Sequence, residues 1–200
     1  MKVIGLTGGI ASGKSTISKW LAEHGAYIID ADKLGHRVYE SGTEAFQKVV
    51  TTFGEDVVGE DGEIDRRVLG SKVFGNEAAL KQLTDIAWPA IKDMAQAEIE
   101  SILEAGQHDL LVLEAAVLIE ANWMDIVDEV WVVTVDRETA IDRSMSRDSL
   151  DREAVEKRID AQLTNEERSA HATVILDNSG SWDELRTGVS SAYKQVITTS

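Results

Sequence analysis

The 200-residue chain contains no cysteine, which excludes disulfides, thiol catalysis and cysteine-ligated metal sites. That composition fits a reducing cytoplasm. No apolar run approaches the roughly 20 residues needed to cross a bilayer. The opening Met1-Lys2-Val3-Ile4-Gly5-Leu6 runs straight into a glycine motif, so no cleavable signal is expected. A soluble, cytoplasmic protein is expected. Positive charge is scarce as well: 20 Lys and Arg stand against 36 Asp and Glu, a formal net charge of −16. Nucleic acids and anionic membranes bind clustered lysine and arginine, so neither is expected as a partner. The acidic surplus serves solubility or a salty cytoplasm equally well. Proline occurs once, as Pro89 after Trp88, and suits the first turn of a long helix reaching toward Ala105.

What is present reads as an ordinary globular chain, 43% apolar and 28% charged. Its length fits one α/β domain with a small insertion. Val3–Thr7 is a short apolar run bounded by glycine, which predicts a buried strand. Ile17, Trp20 and Leu21 are spaced i, i+3, i+4, so Ser15 to about His24 is expected as an amphipathic helix ended by Gly25. Ala26–Ile29 predicts a second strand ending in Asp30-Ala31-Asp32. From Lys33 to about Gly106 the pattern is helical. Leu110–Leu113, Glu129–Val135 and Ala172–Leu176 predict three more strands, with helical charge patterns over Arg137–Arg168 and a closing helix from Ser181 or Asp183. The last few residues read as a loose tail. Strands alternating with helices predict a parallel sheet covered on both faces.

Gly8-Gly9-Ile10-Ala11-Ser12-Gly13-Lys14-Ser15 fits the phosphate-binding pattern G-x4-G-K-S in full. Glycines let the backbone fold into a nest against phosphate, and unpaired N–H groups at the following helix start face the anion. Lys14 adds charge against the β- and γ-phosphates, and the Ser15 hydroxyl is placed to ligand Mg²⁺. A chance Gly-rich turn is the bland reading, but this one follows a predicted strand and opens a predicted helix. ATP is the expected ligand, and net acidity requires that its site be a local patch of N–H groups and a few arginines.

Asp30 and Asp32 lie two apart at the predicted end of the second strand, where alternation would turn both to one face. Ligands of parallel sheets collect at such ends. A carboxylate there could take the proton of an attacking hydroxyl, hold Mg²⁺ through water, or cap a helix. Glu114 ends Leu110–Leu113, where an acidic residue could orient Mg²⁺. Arg143 and Arg147 are spaced i, i+4 on one helix face, free either to close over a transferring phosphoryl group or to pair with Asp142, Asp148 or Asp151. His24, His36, His108 and His171 share no ligand spacing.

Several segments together resemble the dephospho-CoA kinase family: Ile4–Thr16, Ile29-Asp30-Ala31-Asp32, Phe53-Gly54, Asp61-Gly62-Glu63-Ile64-Asp65-Arg66, Val73-Phe74, Leu118-Ile119-Glu120, Arg143 with Arg147, Arg158-Ile159-Asp160-Ala161-Gln162, and Asp177-Asn178. They run from Val3 to about Trp182. The resemblance implies a P-loop NTPase three-layer sandwich with a five-stranded parallel sheet. Residues 1–32, 107–136 and 170–200 would form the nucleotide-binding core, 33–106 a helical CoA-binding region and 137–169 a lid. It implies transfer of the ATP γ-phosphoryl, with Mg²⁺, to the ribose 3′-hydroxyl of dephospho-CoA. Asp32 then falls on the proposed general base, Arg143 and Arg147 on lid arginines, and Arg66 on a substrate-side position. Gly8–Thr16 fall on the ATP loop and Asn178 near the adenine end of the ATP site. Many bacterial members carry His-Pro where this chain has Trp88-Pro89, and Pro-Leu-Leu where it has Ala116-Val117-Leu118. In this the chain resembles the kinase half of the bifunctional animal CoA synthase. Trp88 is the candidate to pack against the pantetheine arm or adenine. Another P-loop small-molecule kinase, such as one acting on nucleoside monophosphates, is the alternative. A nucleotide switch is disfavoured by the lack of Asn-Lys-x-Asp, and a binding-only relic by intact Lys14, Ser15 and Asp32.

Overall fold

The apolar runs become strands because each has to be covered on both faces. In the computed structural model, which describes residues 1–198, β1 (Lys2–Gly8), β3 (Leu110–Glu114) and β4 (Glu129–Thr134) are buried along almost their whole length. With β2 (Tyr27–Asp30) and β5 (Val174–Asp177) they form one sheet in the order β2-β3-β1-β4-β5, and every pairing is parallel. The central strands carry Ile4, Leu6, Leu110, Val112, Trp131 and Val133 into one apolar cluster with Ile17 and Leu21 of helix α1 (Lys14–Glu23) and Leu185 and Val189 of helix α9 (Trp182–Thr198). Continuous burial of this kind is what a parallel sheet between helical layers demands. The edge strand is different: Ile175 on β5 is exposed.

Local chemistry sets the element ends. Helix α1 closes on Gly25, with Ala26 N–H donating to Leu21 O and Gly25 N–H to Ala22 O, a Schellman closure. Helix α9 starts in a reciprocal cap: Ser181 N–H donates to Glu184 Oε2 at 2.8 Å and Glu184 N–H to Ser181 Oγ at 3.3 Å. That helix runs to Thr198, and Thr199 and Ser200, part of the expected tail, lie outside the described residues. Between β4 and β5 run α6 (Arg137–Asp148), α7 (Arg152–Asp160) and α8 (Asn165–Ser169), capped in turn by Asp136, Asp151 and Thr164.

The chain divides into two units, residues 1–30 with the chain from Glu98 onward, and residues 31–97. The second unit holds α2 (Ala31–Arg37), α3 (Glu44–Phe53), a single 3-10 turn at Glu55–Val57, α4 (Arg66–Val73) and most of α5 (Glu77–Ala105). Its Asp61–Arg66 segment is largely architectural. An isolated Val58–Ile64 bridge forms there, and Asp65 caps α4 by accepting from Arg67 N–H at 2.8 Å and Val68 N–H at 3.1 Å.

Two expectations are corrected here. The second strand stops at Asp30, and Ala31 and Asp32 already belong to α2, so strand alternation does not relate the two aspartates. Asp-Ala-Asp suits a helix start as well as a strand exit, because acidic residues favour the first helical turn. Pro89 is not at a helix start either. It lies inside the 29-residue α5, which begins at Glu77. The apolar positions upstream, the half-buried Leu83 and Ile86 with the buried Ala87, continue one helical face past the proline.

Candidate active site

The phosphate loop leaves β1 at Gly8 and enters α1 at Lys14. Two of its glycines, Gly8 and Gly13, are required by contact. A Cβ on Gly8 would meet the Val133 carbonyl of β4, and one on Gly13, where φ is 97°, would meet Asn178 Nδ2. Asn178 follows β5, is buried, and donates from Nδ2 to Ser12 O at 2.7 Å. Expected near the adenine end of the site, its amide in this structure supports the loop backbone from below. Lys14 Nζ donates to Gly8 O at 2.8 Å and Gly9 O at 3.3 Å, so the ammonium stays folded over the loop it is to serve.

Glu114 stands at the exit of β3, opposite Leu6 of β1 and Asp30 of β2 in the ladder. Its Oε1 accepts from the Ser15 hydroxyl at 2.8 Å. The sequence named these two oxygens separately as metal ligands, and the fold brings them within hydrogen-bonding distance. A hydroxyl and a carboxylate are hard oxygen donors of the kind Mg²⁺ takes, and the half-buried Glu114 can carry the charge such an ion needs.

Arg143 and Arg147 both lie on α6, the first half-buried and the second exposed. Arg147 pairs side-on with Asp148, Nε to Oδ1 at 2.7 Å and Nη2 to Oδ2 at 2.9 Å, and Arg158 Nη1 of α7 is 3.9 Å from Asp148 Oδ2. The Arg147 hydrogen bond, with the same charge behind it, holds the Asp148 carboxyl below the usual carboxylate range. One of the partners expected from the solvated-face reading is therefore in place.

Asp32, Arg66 and Trp88 all belong to the second unit. Asp32 is exposed in the first turn of α2. Arg66 Nη2 donates to Gly35 O at 3.1 Å and His36 O at 2.7 Å, and its guanidinium lies 5.5 Å from the Tyr39 ring centroid. It thus satisfies carbonyls at the end of the helix that carries Asp32. Trp88 is half-buried on α5.

Sequence reasoning did not find the role of the segment after α7. Ile10 N–H of the phosphate loop donates to Gln162 Oε1 at 2.8 Å, across 152 residues of chain. Arg168, fully buried, donates to Ala116 O at 3.2 Å and to Glu120 Oε1 at 2.7 Å. Loop and segment together line a cavity of about 480 Å³ that includes Gly9, Ile10, Asp136, Arg137, Asp160 and Gln162. The one available signal was that Gln162 closes the Arg158–Gln162 segment in which the sequence resembles the kinase family.

A glycine loop between the central strand and its helix, with a carboxylate at the exit of the neighbouring strand holding the loop's serine, defines a P-loop nucleoside-triphosphate-binding protein. A family model described as dephospho-CoA kinase matches residues 2–184, and the chain belongs to that family. It is 48% identical over 185 residues to the dephospho-CoA kinase of Geobacter sulfurreducens, covering 92% of this chain and 93% of that one. Among solved structures, TT1252 from Thermus thermophilus superposes with a TM-score of 0.78 at 32% identity, covering 97% of each chain. The dephospho-CoA kinase of Campylobacter jejuni does so at 0.74 and 25% identity, covering 98% of each. The shikimate kinase of Acinetobacter baumannii, at 0.57 and 14% identity over all of this chain and 94% of that one, shares the fold alone.

Proposed function

We infer that the chain transfers the γ-phosphoryl group of ATP to the ribose 3′-hydroxyl of dephospho-CoA, giving CoA and ADP in the cytoplasm. The observation that carries the reading is a phosphate loop whose Ser15 hydroxyl meets Glu114 at 2.8 Å, in a chain that belongs to this kinase family. Backbone N–H groups of Gly8–Thr16, apart from that of Ile10, which Gln162 holds, would cradle the ATP phosphates, and Lys14 would leave the Gly8 and Gly9 carbonyls for the β- and γ-oxygens. Ser15 and Glu114 would hold Mg²⁺, which when bound neutralises charge on those oxygens.

Asp32 would take the proton of the 3′-hydroxyl as its oxygen attacks the γ-phosphorus and the bond to the leaving ADP oxygen breaks. Residues 33–106 would bind the CoA portion, with Arg66 holding α2 in place and Trp88 contacting the acceptor. Residues 137–169 would act as a lid, with Arg143 and Arg147 bringing charge to the group in transit. Closure would have to draw Arg147 away from the half-buried Asp148, to which it is bonded side-on.

ADP release measured with Mg-ATP and a panel of dephospho-CoA, AMP, CMP and pantetheine tests the reading. Turnover of dephospho-CoA well above the other acceptors is expected. Robust turnover of AMP or CMP with none of dephospho-CoA would overturn it.

A further inference from the structure

Three side chains at the root of the α6–α8 arm reach back to three different exits of the sheet. Gln162 accepts from Ile10 N–H after β1, Asn165 Nδ2 donates to Val135 O after β4 at 2.8 Å, and Arg168 donates to Ala116 O after β3. Gln162 is the member of this set that touches the phosphate loop. It is held there by a tight reversal: its own N–H donates to Ile159 O at 3.0 Å, and Thr164 then opens α8 with a reciprocal cap to Glu167. Gln162 Oε1 also bounds the space above Gly9, 3.5 Å from where a Cβ would sit.

We propose that Gln162 is a positioning residue for phosphoryl transfer, docking the arm onto the phosphate loop through a neutral acceptor at Ile10 N–H. The choice of side chain follows from electrostatics. N–H groups of a phosphate loop are built to attract anions, so any acceptor satisfies Ile10. A carboxylate in that place would lie within a few ångströms of the triphosphate in a partly desolvated cleft and repel it. A carboxamide makes the same bond without the charge. Leaving Ile10 N–H without a partner would undo the arm's hydrogen bond to the phosphate loop and let the stretch that carries Arg158 and the Arg137–Asp160 pair shift relative to it, although Asn165 and Arg168 still tie the root of the arm to the sheet. Gln162 therefore sets the arm's distance from the reacting phosphates without contacting the acceptor.

The proposal rests on the kinase reading for its turnover arm only. The test compares the full-length chain with Gln162→Glu and Gln162→Leu, measuring Mg-ATP affinity by calorimetry without acceptor, and kcat with dephospho-CoA. Gln162→Glu keeps the hydrogen bond and adds charge. Its Kd for Mg-ATP should rise about tenfold at pH near 8, and the ratio to the unmodified chain should shrink toward about pH 5 as the new carboxyl takes a proton. Gln162→Leu removes the acceptor without adding charge. Its kcat should fall about tenfold while Kd shifts less than about threefold. An unchanged Kd for Gln162→Glu near pH 8 overturns the proposal, as does an unchanged kcat for Gln162→Leu. If Gln162→Leu fails to fold, Gln162→Glu and its pH profile decide. If the unmodified chain binds Mg-ATP but leaves dephospho-CoA untouched, the kinase reading fails, and the affinity measurements still decide the placement of Gln162.

Discussion

Asp32 and Glu114 are proposed for different parts of the chemistry, proton transfer and metal binding. Asp32 is exposed in the first turn of α2, and as a general base it should matter to the chemical step more than to nucleotide affinity. Asp32→Asn is expected to lower kcat about 100-fold or more with the Kd for Mg-ATP unchanged, checked by pairing steady-state rates with calorimetry. An unchanged kcat would make Asp32 a helix-end residue only. Glu114, bonded to Ser15, should act through the metal instead. Glu114→Gln is expected to raise the Mg²⁺ concentration needed for half-maximal turnover about tenfold, read from a Mg²⁺ titration at fixed ATP. The phosphate loop was legible in the sequence because its glycines, Lys14 and Ser15 each have a separate physical job at a fixed spacing. The direction of Asp32 was not, since Asp-Ala-Asp is equally a strand exit and a helix start. Nor was the support role of Asn178, which depends on β5 and β1 being brought to one end of the sheet from opposite ends of the chain.

Helix α5 is the element where sequence and structure part most clearly. Strand and helix identities follow the periodicity closely, and the largest boundary error is at Pro89, which marks no boundary at all. A proline in a helix interior lacks one backbone bond and crowds the carbonyl four residues back, here that of Asp85. Since Pro89 is exposed, its side chain adds little packing to offset this. Pro89→Ala is expected to raise unfolding stability by about 1–3 kcal/mol, seen as a higher urea midpoint with an unchanged slope. A lower midpoint would mean that the ring itself holds α5 in the shape its neighbours need. The edge strand β5 shows a milder limit: Ala172 and Thr173 read as strand from their neighbours, yet the ladder begins at Val174. Thr173 is used instead to exchange bonds with Val130, its N–H donating to Val130 O at 2.8 Å and its hydroxyl accepting from Val130 N–H at 3.0 Å.

Across the whole molecule, a net charge of −16 makes self-repulsion a general cost that no single contact cancels. Pairs such as Glu44–Lys48, Lys81–Asp85 and Glu153–Lys157 lie in the open and contribute little. Salt should therefore stabilise the chain. The Tm is expected to rise by several degrees between about 10 mM and 200 mM NaCl, as the screening length falls below the spacing of surface charges. A falling Tm would mean that the surface pairs outweigh the repulsion. Charge balance was readable from composition, but the one arginine with no exposure among the described residues was not, because only the fold gathers its partners. Arg168 finds Glu120 from 48 residues away and the Ala116 carbonyl from 52. A guanidinium cannot shed its charge, so its burial is tolerable only where the Ala116 carbonyl and the Glu120 carboxylate are in place to receive it. A chain that collapses with the wrong strand beside β1 would strand that charge in apolar surroundings. The residue thus works as a topological proofreader, penalising misassembled sheets whose hydrophobic strands would otherwise be nearly interchangeable.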